Sequence, residues 1–232
     1  MNLRSRFHLP SAGDIILTVI GAILCGLGCG FINYASLGMD AIGLFYDGIR
    51  SILDLSPNQI GTASYIVCFI LSVFLWFVDR RYVNIGSIIY IIMYGAFANI
   101  GTVIWEKLTP GGSIYLNALI SALGLLILYI GLGIYIAVDI GVDAFTGVML
   151  WLSNITHKDM KYVKIAFDLG LAVIGFLLGG TLGIVTPVSI IIGGPCISFL
   201  TRHIQALYFK HLLKNDLFSQ REGSTQDKND QG

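Results

Sequence analysis

The chain has 232 residues, of which 55% are hydrophobic and only 12% are charged, and its formal net charge at pH 7 is zero. A soluble domain carries about 25% charged residues, so this composition excludes an ordinary soluble enzyme and a disordered chain. The chain also lacks the excess of basic residues that a nucleic-acid-binding surface requires. A mean hydropathy of +0.78 is instead typical of a polytopic membrane protein.

Taken in chain order, six apolar segments are long enough to cross a bilayer as helices, which takes about 20 residues each. The first is too long for a signal-peptide core and no cleavage site follows it, so we expect it to be retained. Two shorter apolar segments, 39–53 and 142–154, follow the first and the fourth span. The polar tail, residues 214–232, is predicted to be disordered. The predicted spans cover residues 15–34, 60–78, 85–105, 116–138, 163–180 and 185–209.

The distribution of basic residues predicts how these spans are oriented, because short cytoplasmic loops carry the excess of Lys and Arg. With the N-terminus inside, twelve of the fourteen Lys and Arg residues fall on the cytoplasmic side, and only Arg50 and Lys107 fall outside. Both termini are therefore predicted to be cytoplasmic.

The two halves of the chain resemble each other at an offset of 103 residues. The same offset places the start of the second span on that of the fifth. Each repeat contains three spans, an odd number, so the second copy must cross the membrane in the opposite direction. The identical pairs are Gly30 and Gly133, Gly38 and Gly141, Asp40 and Asp143, and Ala41 and Ala144.

This pattern predicts an all-α polytopic membrane protein with six transmembrane helices arranged as two inverted three-helix repeats. Each repeat has a short half-membrane or interfacial helical segment after its first span, an architecture common among secondary transporters. We place the two repeats at residues 14–112 and 113–213, between a cytoplasmic N-terminal segment, 1–13, and the tail.

Paired (Leu/Ile)-Gly-x-Asp-Ala motifs, at residues 37–41 and 140–144, mark the start of the two short segments. Together with Lys-Ile-Ala-Phe-Asp-Leu at 164–169 and with Gly194-Pro195, they resemble the YczE/YyaS/YitT family of bacterial integral membrane proteins. The resemblance covers roughly residues 12–210 and implies a multi-pass protein of the bacterial plasma membrane, without implying a mechanism. Because no soluble C-terminal domain follows the last span, the chain looks like the short form of that family.

The repeated aspartates, Asp40 and Asp143, allow two interpretations that can hold together. Each precedes a helix-like apolar run, so each suits an N-cap, where a carboxylate accepts hydrogen bonds from free backbone N–H groups. Alternatively, the two carboxylates line a central pathway, because carboxylates at membrane depth are costly and usually functional. Gly38 and Gly141 belong to the same candidate pathway.

Further polar residues lie within the spans. Asp168 follows Lys164 by one helical turn, which favours a local ion pair, with a proton-titrating or substrate-facing carboxylate as the alternative. Its repeat counterpart Tyr65 is also polar, which favours a cavity-facing position. For Asn33 and Asn99, interhelical hydrogen bonds are the simpler interpretation and a polar pathway is the alternative.

The last span contains Gly194 and Pro195. A proline inside a helix removes a backbone donor, and the freed groups must be satisfied by protein or water. We therefore predict that the sixth helix is kinked or interrupted there, and contact with substrate is a further hypothesis for these two residues.

Known catalytic and metal-binding motifs are missing from the sequence, and its four cysteines do not have zinc or redox spacing. We therefore expect no enzyme, no metal and no cofactor. The inverted repeat favours a small secondary transporter of alternating-access type. Aspartates at the helix N-termini favour a cationic, amine-bearing or zwitterionic solute, or proton coupling. The alternative is a non-transporting accessory, regulatory or scaffold protein with a dry, packed centre. The expected partners are the lipid bilayer and a small solute, without nucleic acid, and homo-oligomerisation stays open.

Overall fold

The computed structural model describes residues 11–138 and 140–229, with side chains as far as Tyr208. Within these residues all regular secondary structure is helical. Arg4 and Arg6, which contribute to the predicted orientation, lie outside the described residues. Short 3-10 turns, Pro57–Gln59 and Arg80–Tyr82, precede the third and fourth α-helices. The α-helices are α1 (Ala12–Ala35), α2 (Ala41–Ile52), α3 (Ile60–Val78), α4 (Ile85–Leu108), α5 (Ile114–Val138), α6 (Ala144–Thr156), α7 (Met160–Leu177) and α8 (Val185–Asn229).

Five helices in the described part of the chain are long and apolar enough to cross a membrane. They are α1, α3 with its preceding turn, α4, α5 and the first part of α8, Val185–Tyr208. The remaining predicted span corresponds to α7, which carries Lys161, Lys164 and Asp168 within 18 residues. An all-helical chain with five such helices fits a polytopic membrane protein.

The two short segments form the helices α2 and α6, of 12 and 13 residues. They begin directly after Asp40 and Asp143, as the apolar pattern predicts. At a rise of about 1.5 Å per residue, each is roughly 18–20 Å long. A bilayer core is about 30 Å thick, so both helices are too short to cross it.

α1 and α5 pack in antiparallel orientation at the centre of the bundle, and glycines bring their backbones together. A Cβ at Gly28 of α1 would stand 2.6 Å from the carbonyl oxygen of Gly124 in α5. A Cβ at Gly131 of α5 would stand 2.7 Å from the carbonyl oxygen of Gly21 in α1. Small residues of this kind let membrane helices approach closely.

These contacts are related by the repeat offset, because the four glycines form two pairs that are 103 residues apart. Between them, the Cys25 thiol lies 3.7 Å from the carbonyl oxygen of Leu128 and donates to it. Cys25 and Leu128 are themselves 103 residues apart. In an interface with twofold symmetry, a residue on the axis meets its own counterpart. The contact between Cys25 and Leu128 has this form.

The outer helices pack as matched pairs. α4 packs on α1 at Gly30, and α8 packs on α5 at Gly133, the repeat counterpart of Gly30. In the same way α2 packs on α7, and α6 packs on α3. The α1–α4 pair thus corresponds to the α5–α8 pair, and the α2–α7 pair corresponds to the α6–α3 pair, when each helix is replaced by its repeat counterpart.

The structure of α8 bears on two predictions. Its helical backbone is continuous across Gly194 and Pro195, so of the two predicted outcomes the interruption is wrong, and the kink stays a prediction. Proline removes only the hydrogen bond that its own nitrogen would donate, and the bonds of the adjacent turns keep the helix intact. The helical backbone is described as far as Asn229, and the disorder expected of residues 214–232 stays a prediction.

Gly28→Ala should lower the thermal stability of the protein. The added methyl group would meet backbone atoms of Gly124 and Leu128, which cannot rotate away, and such overpacking costs about 1–3 kcal/mol. Gly170→Ala in α7 is the matched control, because no described atom lies within 4 Å of its Cβ position. Thermal unfolding in detergent measures the difference. Equal melting temperatures for the two variants would contradict the packing at the α1–α5 crossing.

Candidate functional site

The segment that leads into α2 is held against the start of α8. Gly38 has a φ of +96°, a left-handed conformation that favours glycine, and a Cβ there would stand 2.5 Å from the backbone nitrogen of Gly183. The Val185 amide donates a hydrogen bond of 3.2 Å to the Leu37 carbonyl oxygen. These contacts fix the position of Asp40 at the N-terminus of α2.

The segment that leads into α6 lies against the start of α4 in a corresponding way. A Cβ at Gly141 would stand 2.9 Å from the Cα of Gly86. The Ser87 hydroxyl donates a hydrogen bond of 2.6 Å to the Val142 carbonyl oxygen. Gly38 and Gly141, both predicted pathway residues, are thus positions where two backbones meet.

Asp143 acts as a helix cap. Its Oδ2 atom accepts a hydrogen bond of 3.0 Å from the backbone N–H of Thr146, and the residue is only 5% exposed. This confirms the N-cap interpretation for Asp143. The carboxylate is near enough to interact electrostatically with the hydroxyl groups of Tyr46, Tyr90 and Tyr135.

Buried aromatic rings fill the centre of the bundle on this side. The ring centroids of Tyr90 and Tyr94 are 5.3 Å apart, and those of Tyr90 and Tyr135 are 4.8 Å apart. Tyr46 continues the cluster toward Phe145, with centroids 5.5 Å apart. Side chains packed in this way leave little room for solvent around Asp143.

Asp40 occupies the equivalent N-cap position, but its side chain makes no capping hydrogen bond to a described residue. The N–H of Gly43 lies near the carboxylate without meeting hydrogen-bond geometry. The Oδ1 atom is buried and has no hydrogen-bond partner within the described part of the chain. The residue as a whole is half-buried. The capping contact of Asp40 with Gly43 is therefore looser than the hydrogen bond of Asp143 with Thr146.

α7 places an ion pair beside Asp40. The Lys164 Nζ atom donates to Asp168 Oδ2 over 2.9 Å, which confirms the predicted local pair. Asp168 is only 7% exposed, and its Oδ1 atom finds no hydrogen-bond partner among the residues described. Asp40 lies within electrostatic reach of both members of the pair. The ion pair thus uses one oxygen of Asp168 and leaves the other unsatisfied.

α5 adds Tyr129, which sequence reasoning missed. The residue is 7% exposed, and its hydroxyl has no hydrogen-bond partner in the described structure. It lies within electrostatic reach of Asp40 and Asp168. Gly193 of α8 faces it, since a Cβ at Gly193 would stand 3.0 Å from the Tyr129 hydroxyl oxygen. The signal available in the sequence was a polar side chain in the middle of an apolar span.

Asp40, Tyr129, Lys164 and Asp168 are called the Asp40 cluster below. With both carboxylates and the lysine ionised, the cluster carries one excess negative charge. Unpaired buried polar groups and charges are costly, so a cluster of this kind suits a cation that enters with its own hydrogen-bond donors.

Three other predicted site residues make contacts between structural elements. The Asn33 amide donates to the Pro57 carbonyl oxygen over 2.7 Å, and Asn99 Oδ1 accepts a hydrogen bond of 2.6 Å from the Gly61 amide. The Tyr65 hydroxyl donates to a backbone carbonyl of α4 over 3.0 Å. These contacts confirm that the two asparagines make hydrogen bonds between structural elements. The hydroxyl of Tyr65 is likewise used in a hydrogen bond.

Substrate contact at Gly194 and Pro195 stays a hypothesis, and the structure shows which faces of α8 these residues occupy. Pro195 is exposed on the outside of α8, and no described atom lies within 4 Å of a Cβ at Gly194. Gly193, one residue earlier, is buried and faces Tyr129. Gly193 therefore lies on the inward face of this turn, and Pro195 lies on its exposed face.

The sequence analysis also missed the buried carboxylate of Asp47 in α2. It is 2% exposed, and its Oδ1 atom accepts a hydrogen bond of 2.7 Å from Arg50 Nε. Its Oδ2 atom accepts one of 2.7 Å from the Thr181 amide, in the loop between α7 and α8. Arg50 also donates to the Leu55 carbonyl oxygen over 2.9 Å. This network fastens the end of α2 to the loop that precedes α8.

A cavity of about 910 Å³ opens between α6 and α7. It is lined mostly by apolar side chains such as Leu152 and Phe167, with His157 and Lys158 from the connection between the two helices. Its described lining does not include members of the Asp40 cluster, so the cavity is a separate feature.

Comparison with known proteins finds a relative in Haemophilus influenzae (strain ATCC 51907 / DSM 11121 / KW20 / Rd), which is described as an uncharacterized protein. The two chains are 24% identical over 174 residues, which cover 74% of this chain and 76% of the relative. No solved structure matches the chain. Residues 13–202 match the family described as "Family of unknown function (DUF6198)". Because this match covers most of the chain, including both short helices and the Asp40 cluster, the protein belongs to the DUF6198 family.

Proposed function

We propose that the protein is a small secondary transporter, or permease, that carries a small cationic or amine-bearing solute by alternating access. The observation that carries this proposal is the Asp40 cluster. It groups Asp40, at the N-terminus of a half-membrane helix, with Asp168 and Tyr129, which interact with it electrostatically, and three of their oxygen atoms have no hydrogen-bond partner among the described residues. Ionisable groups at this depth are expensive to bury, and a functional role is their usual explanation.

An inverted repeat of three spans in each half is part of the same proposal. It is supported by the contact between Cys25 and Leu128, which are 103 residues apart. The close glycine contacts between α1 and α5 come in two pairs related by the same offset, and the outer helices pack in matched pairs. In this arrangement α7 is the fifth span in chain order and completes the set of six, since its counterpart α3 is long and apolar enough to cross the membrane. The two half-helices then enter from opposite faces, as in many secondary transporters.

The two sides of the bundle differ in a way that fits alternating access. Asp143 is capped and packed beside aromatic rings, whereas Asp40 is half-buried and incompletely paired. One side would therefore be closed while the other admits a solute. The same packed aromatic centre also favours the second candidate, a non-transporting accessory, regulatory or scaffold protein, since it would suit a permanently dry interior.

Uptake into proteoliposomes separates the two candidates. The transporter proposal predicts saturable uptake of methylammonium above protein-free liposomes, at a pH where the amine is protonated, and no uptake of acetate, an anion of similar size. The alternative predicts no uptake of either solute. Uptake of acetate alone would contradict the cationic specificity while retaining transport.

We also propose that the protein lies in a bacterial plasma membrane with both termini cytoplasmic, in keeping with the resemblance to the YczE/YyaS/YitT family. The test uses a Cys196→Ser background, because the other three cysteines are buried. His157→Cys should react with a membrane-impermeant maleimide only in opened cells, whereas Lys107→Cys should react in intact cells. Both positions are exposed. Labelling of position 157 in intact cells would contradict the proposed orientation.

A further inference from the structure

We infer that the cavity between α6 and α7 binds an anionic phospholipid, with an acyl chain along its apolar wall and the phosphate at His157 and Lys158. The cavity, of about 910 Å³, is called the α6–α7 groove below. This inference goes beyond the proposed function, because it concerns a different part of the molecule and does not depend on transport.

The wall that α7 contributes to the groove is a straight stripe along the helix. Tyr162, Ala166, Gly170 and Ile174 line the groove at intervals of four residues, so they share one face of α7. At a rise of about 1.5 Å per residue, the stripe is roughly 18 Å long, and a bilayer core is about 30 Å thick. The stripe therefore has about the length that one acyl chain covers within its own leaflet.

The middle of this stripe is open. A Cβ at Gly170 would have no described atom within 4 Å, so the space in front of this residue is free of described protein. Phe167 and Leu171 border it with apolar side chains. An interior of this kind suits hydrocarbon, because a polar ligand would lose its hydrogen bonds to water without replacing them there.

The charged residues of the lining lie together at one end of the groove, where α6 connects to α7: His157, Lys158 and Asp159. Lys158 is exposed and forms no ion pair with a described residue. The Ser153 hydroxyl donates a hydrogen bond of 2.7 Å to its carbonyl oxygen and ties the connection to α6. Lys161, in the first turn of α7, and the positive end of the α7 dipole add to the positive potential, which Asp159 offsets only in part. The groove is thus apolar along its length and basic at its mouth, as an anionic amphiphile requires.

The first half of the chain has the same turn without the open groove. Asp54, 103 residues before His157, has a φ of +51°, and His157 has a φ of +52°. Ala63 is fully buried, whereas its counterpart Ala166 is exposed. The second half therefore differs from its repeat counterpart both in the open wall and in the basic mouth. At that mouth, His157, Lys158 and Lys161 stand where the first half has Asp54, Leu55 and Asn58.

The headgroup decides which lipid the groove prefers. The acyl chains of bulk lipid are as apolar as the wall, so contact with hydrocarbon discriminates little between lipids. A lysine near a membrane surface strengthens the binding of an anionic lipid by about fivefold. The phosphate of phosphatidylcholine is balanced by its own choline, whereas phosphatidylglycerol keeps a net negative charge. We therefore expect the groove to prefer phosphatidylglycerol.

Lipid titration of the purified, full-length protein in detergent tests this inference. Dioleoyl-phosphatidylglycerol and dioleoyl-phosphatidylcholine have the same acyl chains and differ in headgroup charge. The dissociation constant derived from thermal stabilisation should be at least about tenfold lower for phosphatidylglycerol, since two lysines contribute. Inorganic phosphate, which has the anion without the chain, should not displace it.

Two pairs of variants locate the lipid. Lys158→Gln should weaken phosphatidylglycerol binding by about fivefold and leave phosphatidylcholine binding unchanged, and Lys107→Gln, at an exposed lysine of α4, is the matched control. Gly170→Leu should raise the dissociation constants of both lipids, because its side chain would occupy the stripe. Gly194→Leu is the control, at an open position on α8. Melting temperatures without lipid should stay at the wild-type value in both lysine variants.

The outcomes that would overturn the inference are distinct. Equal affinity for the two lipids would show that the basic mouth does not select a headgroup. An unchanged preference in Lys158→Gln, or unchanged binding in Gly170→Leu, would place the lipid outside the α6–α7 groove. Displacement of phosphatidylglycerol by inorganic phosphate would indicate an aqueous anion site instead. All of these measurements concern binding alone, so the proposal of transport stands or fails separately.

Discussion

Asp40→Asn should reduce methylammonium uptake in proteoliposomes by at least about tenfold, whereas Asp143→Asn should leave it unchanged. The reason is that the two aspartates, although equivalent in the repeat, use their carboxylates differently. Asp143 accepts a capping hydrogen bond from Thr146, which asparagine can also accept. Asp40 makes no capping bond to a described residue, and its negative charge is the property that the proposed site uses. Asparagine has nearly the same shape as aspartate, but it removes the charge and replaces one acceptor oxygen with an NH2 donor.

Alanine variants at the same two positions separate folding from function. Asp143→Ala should destabilise the protein by about 1 kcal/mol, because the cap of α6 is lost. Asp40→Ala should not show this capping loss, yet it should lose uptake as Asp40→Asn does. Thermal unfolding and initial uptake rates of the four variants provide the comparison. Full uptake by Asp40→Asn would remove Asp40 from the site, and equal loss of uptake in both Asn variants would show that Asp143 belongs to the pathway as well.

Arg50→Ala should give the largest loss of stability among the substitutions considered, about 3–5 kcal/mol. It leaves the carboxylate of Asp47, which is 2% exposed, without its ion-pair partner, and an uncompensated buried charge is strongly unfavourable. The Thr181 amide would be the one remaining described donor to that carboxylate. Chemical or thermal unfolding in detergent measures the effect.

Two further variants distinguish a buried ion pair from a general effect of removing arginine. The double variant Asp47→Leu and Arg50→Met should recover much of the stability, because an apolar pair can replace a buried ion pair. Arg81→Ala breaks the exposed pair with Asp79 and should change the melting temperature little. A double variant that is less stable than Arg50→Ala would show that the hydrogen bond from Thr181 to Asp47, and not the unpaired charge, dominates this network.

Much of the helical architecture could be predicted from local sequence. The starts of α2 and α6 after Asp40 and Asp143 follow from apolar runs that begin directly after residues suited to an N-cap. The ion pair of Lys164 with Asp168 follows from one helical turn of spacing. Both features depend on residues close in sequence, so no knowledge of the packing is needed to find them.

The interruption predicted at Pro195 shows the limit of such rules. A proline removes one hydrogen bond, but whether a helix breaks depends on the bonds and contacts around it, and α8 is continuous there. Which residue of this turn faces the interior also depends on the tertiary structure. Gly193 faces Tyr129 while Pro195 is exposed, and one residue of difference along a helix turns a position by roughly 100°.

The sequence by itself determined the membrane class, the short helices, the paired glycine and aspartate motifs and the 103-residue offset, because hydrophobicity, caps and repeats are written in local composition and spacing. Only the tertiary structure decided which of the equivalent aspartates is a cap and which is left unpaired. It also brought Tyr129 of α5 to the carboxylates of α2 and α7, and Asp47 to Thr181, across separations of up to 134 residues. Such contacts depend on how whole helices pack, and no local pattern encodes them.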